Sequence, residues 1–412
     1  MWDKIDLRIP LLGQFVSESA TSTPDRPSGF VDAKYYDFPL TASVAFTDGH
    51  AVYTDIRNQT WDSIPTSISD MAVGFFPQGN NLYPWPYVSI KASPAKILQG
   101  HNVYGSENIR PGVMQMLANL SLAFPKIWAH LDVERSDVRY LDSTYSAFIE
   151  SDYARAKLLR IFEGLFPNKD SISRHSGYLL GNKGSKYRRQ KIYYKAGELL
   201  ADFEKARKSG QKDKAAILGN PDLVNFAFGR MRFEATTGYE GMTSQGIPTQ
   251  LNEFLKFHDW YQKTHGEPLC RRLWHLAFDK YFAQIEGHTM KDTDDDAIKL
   301  QIDAKYINQK PDGRICRRKA NAIFKTYQDI KREGYDQLLR NSKATLLRNV
   351  KLMEECGISR AFLKGLDPNK PNENVIPLVK VIDIDFSRQR PDGFKEPVQG
   401  FHDERRHLRL VS

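Results

Sequence analysis

The stretch SGYLLGNKGSKYRRQKIYYKAGELL, residues 176–200, joins an apolar run, a glycine-punctuated basic turn, a second strand-like run and the start of a helix. Turn residues between two strand-like runs are typical of a β-hairpin. Two adjacent tyrosines, Tyr193 and Tyr194, follow the turn, with Lys191 before them and Lys195 after them. The stretch therefore predicts a hairpin that presents phenol hydroxyls inside a dense patch of positive charge.

The chain before residue 246 alternates short β-branched or aromatic runs with turn signals. These runs are SVAF (43–46), AVYTDI (51–56), MAVGFF (71–76), YVSIKA (87–92) and DVRYLDSTYSAF (137–148). Two helical patterns interrupt them, at about 111–131 and 152–166. This order predicts an α+β fold, an antiparallel sheet with flanking helices on one face.

Helical periodicity dominates the rest of the chain, before a Pro- and Asn-rich segment and a charged end. The change of texture predicts a sheet-containing domain over residues 1–245. We expect a mostly helical C-terminal domain over 246–397 and a solvated tail over 398–412.

Composition favours a folded protein with an anionic partner. The 412 residues carry 59 Lys and Arg against 50 Asp and Glu, which gives a formal charge of +9 and a pI of about 9.2. Such a balance favours nucleic acid or an anionic membrane surface. There is no window of about 20 apolar residues, and charged residues occupy the N-terminal region where a signal peptide needs an apolar core. The sequence therefore argues against a membrane protein and predicts a cytoplasmic one.

The cysteines give no sign of a disulfide framework or a zinc site. Cys270, Cys316 and Cys356 are widely spaced and include no Cys-x-x-Cys pair. We expect them to be reduced, mostly buried thiols.

The basic turn is a candidate DNA-binding element. Its cations are Lys183, Lys186, Arg188, Arg189 and Lys191. Lys and Arg on a glycine-punctuated hairpin can approach and neutralise phosphates. The alternative is an ordinary solvated, charged turn.

Tyr193 is the candidate nucleophile. A tyrosine hydroxyl, with a pKa of about 10, attacks poorly until cations or a metal stabilise its phenolate. On a strand, Lys191, Tyr193 and Lys195 would project to the same face. That arrangement suits attack on a DNA phosphate, whereas the alternative for a strand tyrosine is packing or hydrogen bonding.

Two carboxylates and one histidine are candidate metal ligands. Asp142 and Glu234 lie in the middle of predicted strands, and alternation places each on a polar face. Paired carboxylates on a sheet can bind Mg²⁺; the alternative is surface acids that pair with Arg139 and Arg232. His101 lies in a loop, where it could bind metal, position a phosphate, act as acid or base, or simply stabilise a turn.

Five long segments resemble the gene II replication protein family of filamentous bacteriophages. They are IKASPAKILQGHNVYG, VRYLDSTYSAF, GNPDLVNFAFGRMRFEA, LMEECGISRAFLKGL and NVIPLVKVIDIDFSRQRPDGFKEPV. The similarity runs from about residue 5 to about residue 397. Ordered segments of this length are far more specific than any single motif.

The resemblance implies a rolling-circle replication initiator that nicks and joins DNA. Such an enzyme cuts the plus strand at an origin, leaves a 3′-hydroxyl for the host polymerase, and later circularises the displaced strand. The family's catalytic segment, Tyr-x-Lys-x-x-Glu-Leu, falls here on Tyr193, Lys195, Glu198 and Leu199. The resemblance therefore selects Tyr193 over Tyr194, with Lys195 as its assistant.

The hairpin also resembles that of plasmid rolling-circle initiators, which implies the fold of the HUH nucleases. Sheet carboxylates hold the metal in those relatives, which supports Asp142 and Glu234, with His101 as a third ligand and Mg²⁺, replaceable by Mn²⁺, as cofactor. The two-histidine motif of that group is absent here, and ATTGYEGMTSQG after Glu234 lacks the family's basic residues. Metal ligation and phosphate contacts at those points are therefore less defined.

The resemblance also implies partners and an internal product. The partners are double- and single-stranded origin DNA, a host helicase, a DNA polymerase and a single-strand binding protein, all in the cytoplasm of a bacterial host. Met290 matches an internal start for a shorter protein. Two alternatives stay open: a regulator that binds origin DNA without cutting it, and a metal-dependent nuclease in which water attacks.

Overall fold

The structure is a computed structural model. It describes residues 1–36, 42–47, 50–56, 62–65, 68–149, 154–155, 158–159, 162, 173–175, 178–182, 184–285, 289–291, 295–309, 315–358, 360, 363, 366, 375–377 and 384–398. Lys183 and most of the helix expected at 152–166 lie outside the described residues. So does the tail beyond residue 398.

Most of the described strands lie in the first two hundred and forty or so positions, as the sequence predicts. They are β1 (Trp2–Pro10), β2 (Ser17–Glu18), β3 (Gly29–Phe30), β4 (Ala42–Thr47), β5 (His50–Ile56), β6 (Asp62–Pro65), β7 (Asp70–Phe76), β8 (Tyr87–Ala92), β9 (Asp137–Phe148), β10 (Ser173–His175), β11 (Tyr178–Gly181), β12 (Arg188–Tyr194), β13 (Arg230–Gly238), β14 (Thr289–Lys291), β15 (Asn308–Gln309), β16 (Ile315–Cys316) and β17 (Val375–Pro377).

Nine of these strands form one antiparallel sheet in the order β10-β11-β12-β13-β9-β1-β8-β7-β6. The pairs β2/β3, β4/β5, β14/β17 and β15/β16 stand apart from it. The hairpin of β11 and β12 is the one that the opening stretch predicts. β12 lies beside β13, and β9 lies on the other side of β13. The sheet thus brings Tyr193, Glu234 and Asp142 onto three consecutive strands.

Helices before residue 286 flank this sheet, and helices also dominate the later part of the chain. They are α1 (Pro94–Gln99), α2 (Arg110–Ala123), α3 (Pro125–Trp128), α4 (Lys195–Lys208), α5 (Lys212–Leu218), α6 (Pro221–Ala227), α7 (Tyr239–Thr243), α8 (Leu251–His265), α9 (Leu269–Ile285), α10 (Asp295–Tyr306), α11 (Arg318–Glu333), α12 (Tyr335–Asn341) and α13 (Lys343–Glu354). The α+β class with an antiparallel sheet and a helical C-terminal region is confirmed.

The long helix expected at 111–131 is divided. Pro125 has no backbone N–H and disfavours a helical conformation at the preceding residue. Phe124 accordingly has φ −133° and ψ 64°, which ends α2 and begins α3.

One face of the sheet is apolar because alternate residues of its strands are buried hydrophobics. Ile5, Leu7, Phe233 and Ala235 are all fully buried. Helix α9 packs on this face: the Trp274 indole donates to the Phe233 carbonyl at 2.9 Å, and other aromatic rings of α9 surround Phe233. This packing fixes the sheet, so that the opposite face is available for polar side chains.

The opposite face carries the polar residues, and its register follows the predicted alternation. Glu234 pairs across the strands with Lys191 of β12 and Thr144 of β9. Asp142 is opposite Thr236, one cross-strand row away. Each acid therefore lies on a polar face, as alternation predicts, and the pairing of β13 with β9 places both on the same face.

The sequence expectation for Lys195 is wrong in one respect. β12 ends at Tyr194, and Lys195 is the first residue of α4 rather than a strand residue. Its side chain nevertheless returns to the same site, with Nζ 5.8 Å from the centre of the Tyr193 ring. The helix start, not strand alternation, brings it there.

The chain divides into two compact units. The larger comprises Met1–Gln284 with Ile382–Ser412, and the smaller comprises Ile285–Val381. The smaller unit has its own core, in which Ile302, Tyr327, Ile330 and Val350 are buried together. The domain boundary expected at 245/246 stays a prediction, and the compact units divide at the end of α9, between Gln284 and Ile285. Among the described helices, none combines the length and apolarity needed to cross a membrane.

Candidate active site on the polar face of the sheet

Tyr193 lies at the centre of the polar face, enclosed by charged groups. Its side chain is buried, with the residue only 3% exposed. Lys191 Nζ lies 4.6 Å from the centre of the ring, and Arg232 is its cross-strand partner. The hydroxyl is buried and has no hydrogen-bond partner within the described part of the chain. The residue is therefore sealed from water, but among ions rather than in an apolar interior.

Burial sets the protonation state of this phenol. Loss of solvent raises the pKa of Tyr193 well above its usual range, Glu198 and Glu234 raise it further, and Arg232 opposes them. In this form of the protein the hydroxyl is protonated. Additional positive charge close to Oη would be required to stabilise the phenolate.

Asp142 and Glu234 are buried on neighbouring strands with oxygens that no group satisfies. Asp142 Oδ1 and Glu234 Oε2 have no hydrogen-bond partner among the described residues. Lys191 Nζ is 3.8 Å from Glu234 Oε2, which is an ion pair too long for a hydrogen bond. Buried carboxylate oxygens of this kind are a costly arrangement unless a cation or a ligand completes it.

Burial also shifts the pKa values of Asp142 and Glu234. Burial raises the pKa of Asp142 to about 6, with Thr236 lowering it and Asp3 raising it. For Glu234, burial, Asp3 and Asp142 all raise the pKa well above its usual range, and Lys191 opposes them. Burial therefore favours the neutral form of both carboxyls, and a cation bound between them would favour the ionised form.

These residues could bind a magnesium ion only if water and substrate complete its coordination shell. No three His, Cys, Asp or Glu side chains among the described residues lie close enough together to enclose a metal ion. Mg²⁺ in phosphoryl-transfer sites is commonly bound through one or two carboxylates, with water and substrate phosphate completing its shell. The unsatisfied oxygens of Asp142 and Glu234 match that chemistry.

Asp3 is a member of this centre that sequence reasoning missed. Asn102 Nδ2 donates to Asp3 Oδ1 at 2.6 Å, and an Arg232 nitrogen lies 3.8 Å from the same oxygen. The pairing of β1 with β9 shifts register between Trp2 and Lys4, so the bulge removes Asp3 from simple alternation. A period-two reading of WDKID could not have found it.

His101 lies at the edge of the centre rather than between the acids. It is buried, and burial together with Lys195 and Arg232 lowers its pKa to about 4. Its Nδ1 lies 3.4 Å from Gln99 Nε2. No contact joins His101 to Asp142 or Glu234 in the residues that the structure describes, and the geometry does not bring this predicted third ligand to them.

Asn102, the residue after His101, contacts the groups of the centre instead. Asn102 Oδ1 accepts a hydrogen bond from Lys195 Nζ at 2.8 Å, while its amide nitrogen donates to Asp3. The guanidinium of Arg232 donates to the carbonyl oxygens of Asn102 and Val103. The loop is thereby fixed to the sheet, and neither Asn102 nor this role of Arg232 was evident in the sequence.

Lys195 and Glu198 form a buried ion pair at the start of α4. Lys195 is 1% exposed and donates to the Glu198 carboxylate. Burial and Arg232 lower the pKa of Lys195 to about 8, against the attraction of Glu198. Burial would raise the pKa of Glu198, but Lys195 and Lys96 lower it to about 2. Lys195 is therefore an amine that can exchange a proton near neutral pH.

The predicted DNA-binding cations divide between two surfaces. Lys186 is strongly exposed, with its side chain 70% accessible, and Arg189 and Lys191 lie on the polar side of β12. Arg188 points away, with NH1 3.3 Å from the Leu276 carbonyl of α9. Lys183 lies outside the described residues.

Beside the buried centre, the same face opens into a groove of about 750 Å³. Arg8, Arg139, Lys186, Arg189 and Tyr140 are among the residues that line it. Arg139 and Lys91 share the buried Asp6 carboxylate, at 3.6 Å and 3.5 Å. The Arg189 guanidinium lies 5.9 Å from the centre of the Tyr140 ring and makes no ion pair with the described residues. The groove, which we call the arginine groove, presents a positive, partly aromatic surface.

Fold and site together define the class: an α+β protein with a buried, carboxylate-rich centre on one sheet face and an arginine groove beside it. A family model for the N-terminal region of the replication-associated gene II protein matches residues 1–257, and one for the C-terminal region of the same protein matches residues 310–400. The chain belongs to the replication-associated gene II protein family, and the resemblance predicted from its sequence is confirmed.

Individual relatives cover most of the chain. The replication-associated gene II protein of Enterobacteria phage fd is 32% identical over 349 residues, which is 82% of this chain and 84% of the relative. The protein of the same name from Salmonella phage IKe is 28% identical over 417 residues, 98% of each chain. The similarity thus extends through both compact units.

Proposed function

We propose that the protein initiates rolling-circle replication of phage DNA, by nicking the plus strand at the origin and rejoining the displaced strand into a circle. Its family membership supports a replication initiator. The observation that carries the chemistry is the placement of Tyr193 between Lys191 and Lys195, on the face where Asp142 and Glu234 leave buried oxygens unsatisfied.

In the proposed reaction Tyr193 Oη forms a bond to the scissile phosphorus, and the bond from phosphorus to the 3′ oxygen breaks. Lys195, when neutral, accepts the phenolic proton and returns it to the departing 3′ oxygen. The DNA keeps a 3′-hydroxyl, and its 5′ phosphate stays on Tyr193. Reversal by another 3′-hydroxyl joins the strand without ATP, because the phosphodiester bond energy is conserved.

Asp142 and Glu234 are the residues proposed to hold Mg²⁺, with Mn²⁺ as a substitute. The ion, when bound, would polarise the phosphate and offset developing negative charge. His101 is retained only as a neutral imidazole near Lys195. Because the Tyr193 hydroxyl is buried, the proposal also requires that DNA binding expose it.

The proposed DNA path runs from this centre into the arginine groove. Lys186 and Arg189, together with Arg8 and Arg139 of the groove, are placed to contact phosphates. Arg188 is left out of this path because it serves the helix side of the sheet. A host helicase, polymerase and single-strand binding protein in the bacterial cytoplasm are the partners that the family resemblance implies.

A regulator that binds the origin without cutting it is the second candidate. The burial of the Tyr193 hydroxyl and its raised pKa favour this reading. Only the nicking enzyme requires a covalent link between Tyr193 and DNA, and a water-attacking nuclease would cut without forming one.

The test is cleavage of a supercoiled plasmid that carries the phage origin, with Mg²⁺ present. Wild type should give nicked and relaxed circles and a covalent adduct with an origin oligonucleotide. Tyr193→Phe should lower cleavage by more than about 10³-fold and abolish the adduct. Tyr194→Phe is the matched control, since this neighbouring ring lies by Arg155, 4.5 Å from its guanidinium carbon. Equal cleavage by wild type and Tyr193→Phe would eliminate the tyrosine mechanism, and no cleavage by wild type would favour the regulator.

A further inference from the structure

Residues 384–398, which we call the strap, belong to the larger compact unit although they follow the smaller one in the chain. The strap begins at a short 3₁₀ helix, Phe386–Arg388, whose N-cap Asp385 accepts from the Ser387 backbone nitrogen. The Phe386 ring packs edge-on against Tyr145 of β9, with ring centres 4.9 Å apart. The chain therefore returns to the sheet after leaving it.

Gln389 completes the hydrogen bonding of β9. The Thr144 nitrogen donates to the Met1 carbonyl, the last partner that β1 offers in this direction. One step further along β9, Gln389 Oε1 accepts from the Ser146 nitrogen at 2.8 Å and Gln389 Nε2 donates to the Ser146 carbonyl at 2.9 Å. The side-chain amide thus substitutes for a neighbouring strand, and it satisfies a buried donor and acceptor.

The next residues of the strap hold the loop of residues 101–107, which we call the hub loop. Arg390 Nε donates to the Gly105 carbonyl at 3.1 Å, and another nitrogen lies 3.5 Å from Glu107 Oε2. The Phe394 ring is edge-on to Tyr104, with centres 5.7 Å apart. These contacts secure the outer side of the hub loop.

The inner side of the hub loop supports the candidate active site. Asn102 binds Lys195 and Asp3, and the Asn102 and Val103 carbonyls receive Arg232. A continuous series of contacts therefore runs from the strap through the hub loop to the groups around Tyr193. None of the residues in this series is among those that line the arginine groove.

We propose that the strap is a positioning element for the candidate active site: Gln389 anchors the strap to β9, and Arg390 holds the hub loop so that Asn102 fixes Lys195 and Asp3. The inference rests on the proposed nicking function for its kinetic consequence, but not for the structural coupling. Arg390 acts through its contacts with the hub loop, and Gln389 acts by fixing the strap on β9.

The kinetic test uses the full chain with Gln389→Ala and Arg390→Ala combined. Misplacement of catalytic groups by about 1 Å commonly costs about 10²-fold in rate. We expect kcat for nicking to fall between about 10- and 100-fold, with KM for origin DNA within about twofold of wild type. The matched control is Arg388→Ala, which changes an exposed cation in the same strap and should leave both constants unchanged.

The structural test is amide hydrogen exchange in the hub loop, which does not depend on whether the protein cuts DNA. The double variant should exchange faster than wild type at residues 101–107, while β12 and the helices of the smaller unit stay unchanged. Unchanged exchange in the hub loop would overturn the proposal, and so would a kcat within twofold of wild type or an equal loss in Arg388→Ala.

Failure of Tyr193→Phe to stop nicking would remove the proposed function and leave the exchange result standing.

Discussion

The buried centre and the arginine groove are built on the same polar face of the sheet, yet their charges behave differently. Around Tyr193 the ionisable groups are nearly inaccessible, and burial is the main influence on their pKa values. In the groove, the ion pairs of Lys186 and Arg139 are partly exposed. Exposed pairs contribute little free energy because water and salt screen them. Strand alternation puts polar residues on one face of the sheet, but the burial of each part of that face determines the pKa values and the accessibility of those residues.

The largest expected effect comes from the buried centre, with Glu234→Gln. Loss of this carboxylate should lower Mg²⁺-dependent nicking by about 10³-fold, the size seen when one preorganised electrostatic group is removed. At neutral pH the same variant should unfold at a higher temperature, because burial makes the ionised Glu234 unfavourable to the fold. Nicking assays and thermal unfolding on the same preparation measure both.

Glu234→Gln is informative because it should lower nicking activity while it raises the unfolding temperature. Glu240→Gln is the control, since Glu240 pairs with exposed Lys186 at 3.7 Å on the groove side, and it should change neither property much. Activity and stability falling together would mean that Glu234 is an ordinary structural partner of Lys191.

Asp142 offers the next largest effect, in the dependence of stability on pH. Its pKa rises on folding from 3.8 to about 6, so its favourable contribution is fully present below pH 3.8 and is lost as pH rises through about 6. At about 1.4 kcal/mol per pKa unit, the ionised group costs about 3 kcal/mol of folding free energy at pH 7. Asp142→Asn should be more stable than wild type by up to that amount at pH 7 and equal to it near pH 3.5.

Chemical denaturation at a series of pH values measures this difference. His101 gives stability the opposite dependence on pH. Its pKa in the folded protein, about 4, lies below the ordinary 6.5, so protonation of His101 destabilises the protein as pH falls. Because wild type and Asp142→Asn both contain His101, its contribution cancels when their stabilities are compared. A difference that does not vary between pH 3.5 and pH 7 would show that Asp142 is not desolvated.

The contrast also explains which features the sequence could predict. Alternation is a local property, so β9 and the polar faces that carry Asp142 and Glu234 could be predicted from short runs. Tyr193 and Lys195 were selected by the family resemblance. Asp3 was missed because a β-bulge interrupts its strand.

The other residues that the sequence analysis did not identify are placed by long-range contacts. Asn102 reaches Lys195 across 93 positions, and Gln389 reaches Ser146 across 243. No local pattern marks either residue, because an Asn in a turn and a Gln in a charged segment are typical of exposed loops. Burial depth was unpredictable for the same reason: the hub loop, which contacts Lys195, Asp3 and Arg232, is positioned by contacts from distant parts of the chain.

The smallest expected effect belongs to the arginine groove, with Arg189→Gln. Removing one cation that neutralises a phosphate of single-stranded DNA should reduce the slope of log affinity against log salt by about 0.7, while stability falls by less than about 1 kcal/mol. Fluorescence anisotropy of a labelled oligonucleotide across a salt series, without Mg²⁺ and in the Tyr193→Phe background, isolates binding from cleavage. Arg207→Gln is the control, an exposed α4 cation already paired with Glu204 at 2.8 Å. An unchanged slope for Arg189→Gln, or an equal change for Arg207→Gln, would show that the groove does not contact the DNA backbone through Arg189 and would confine the recognition of phosphate to the buried centre.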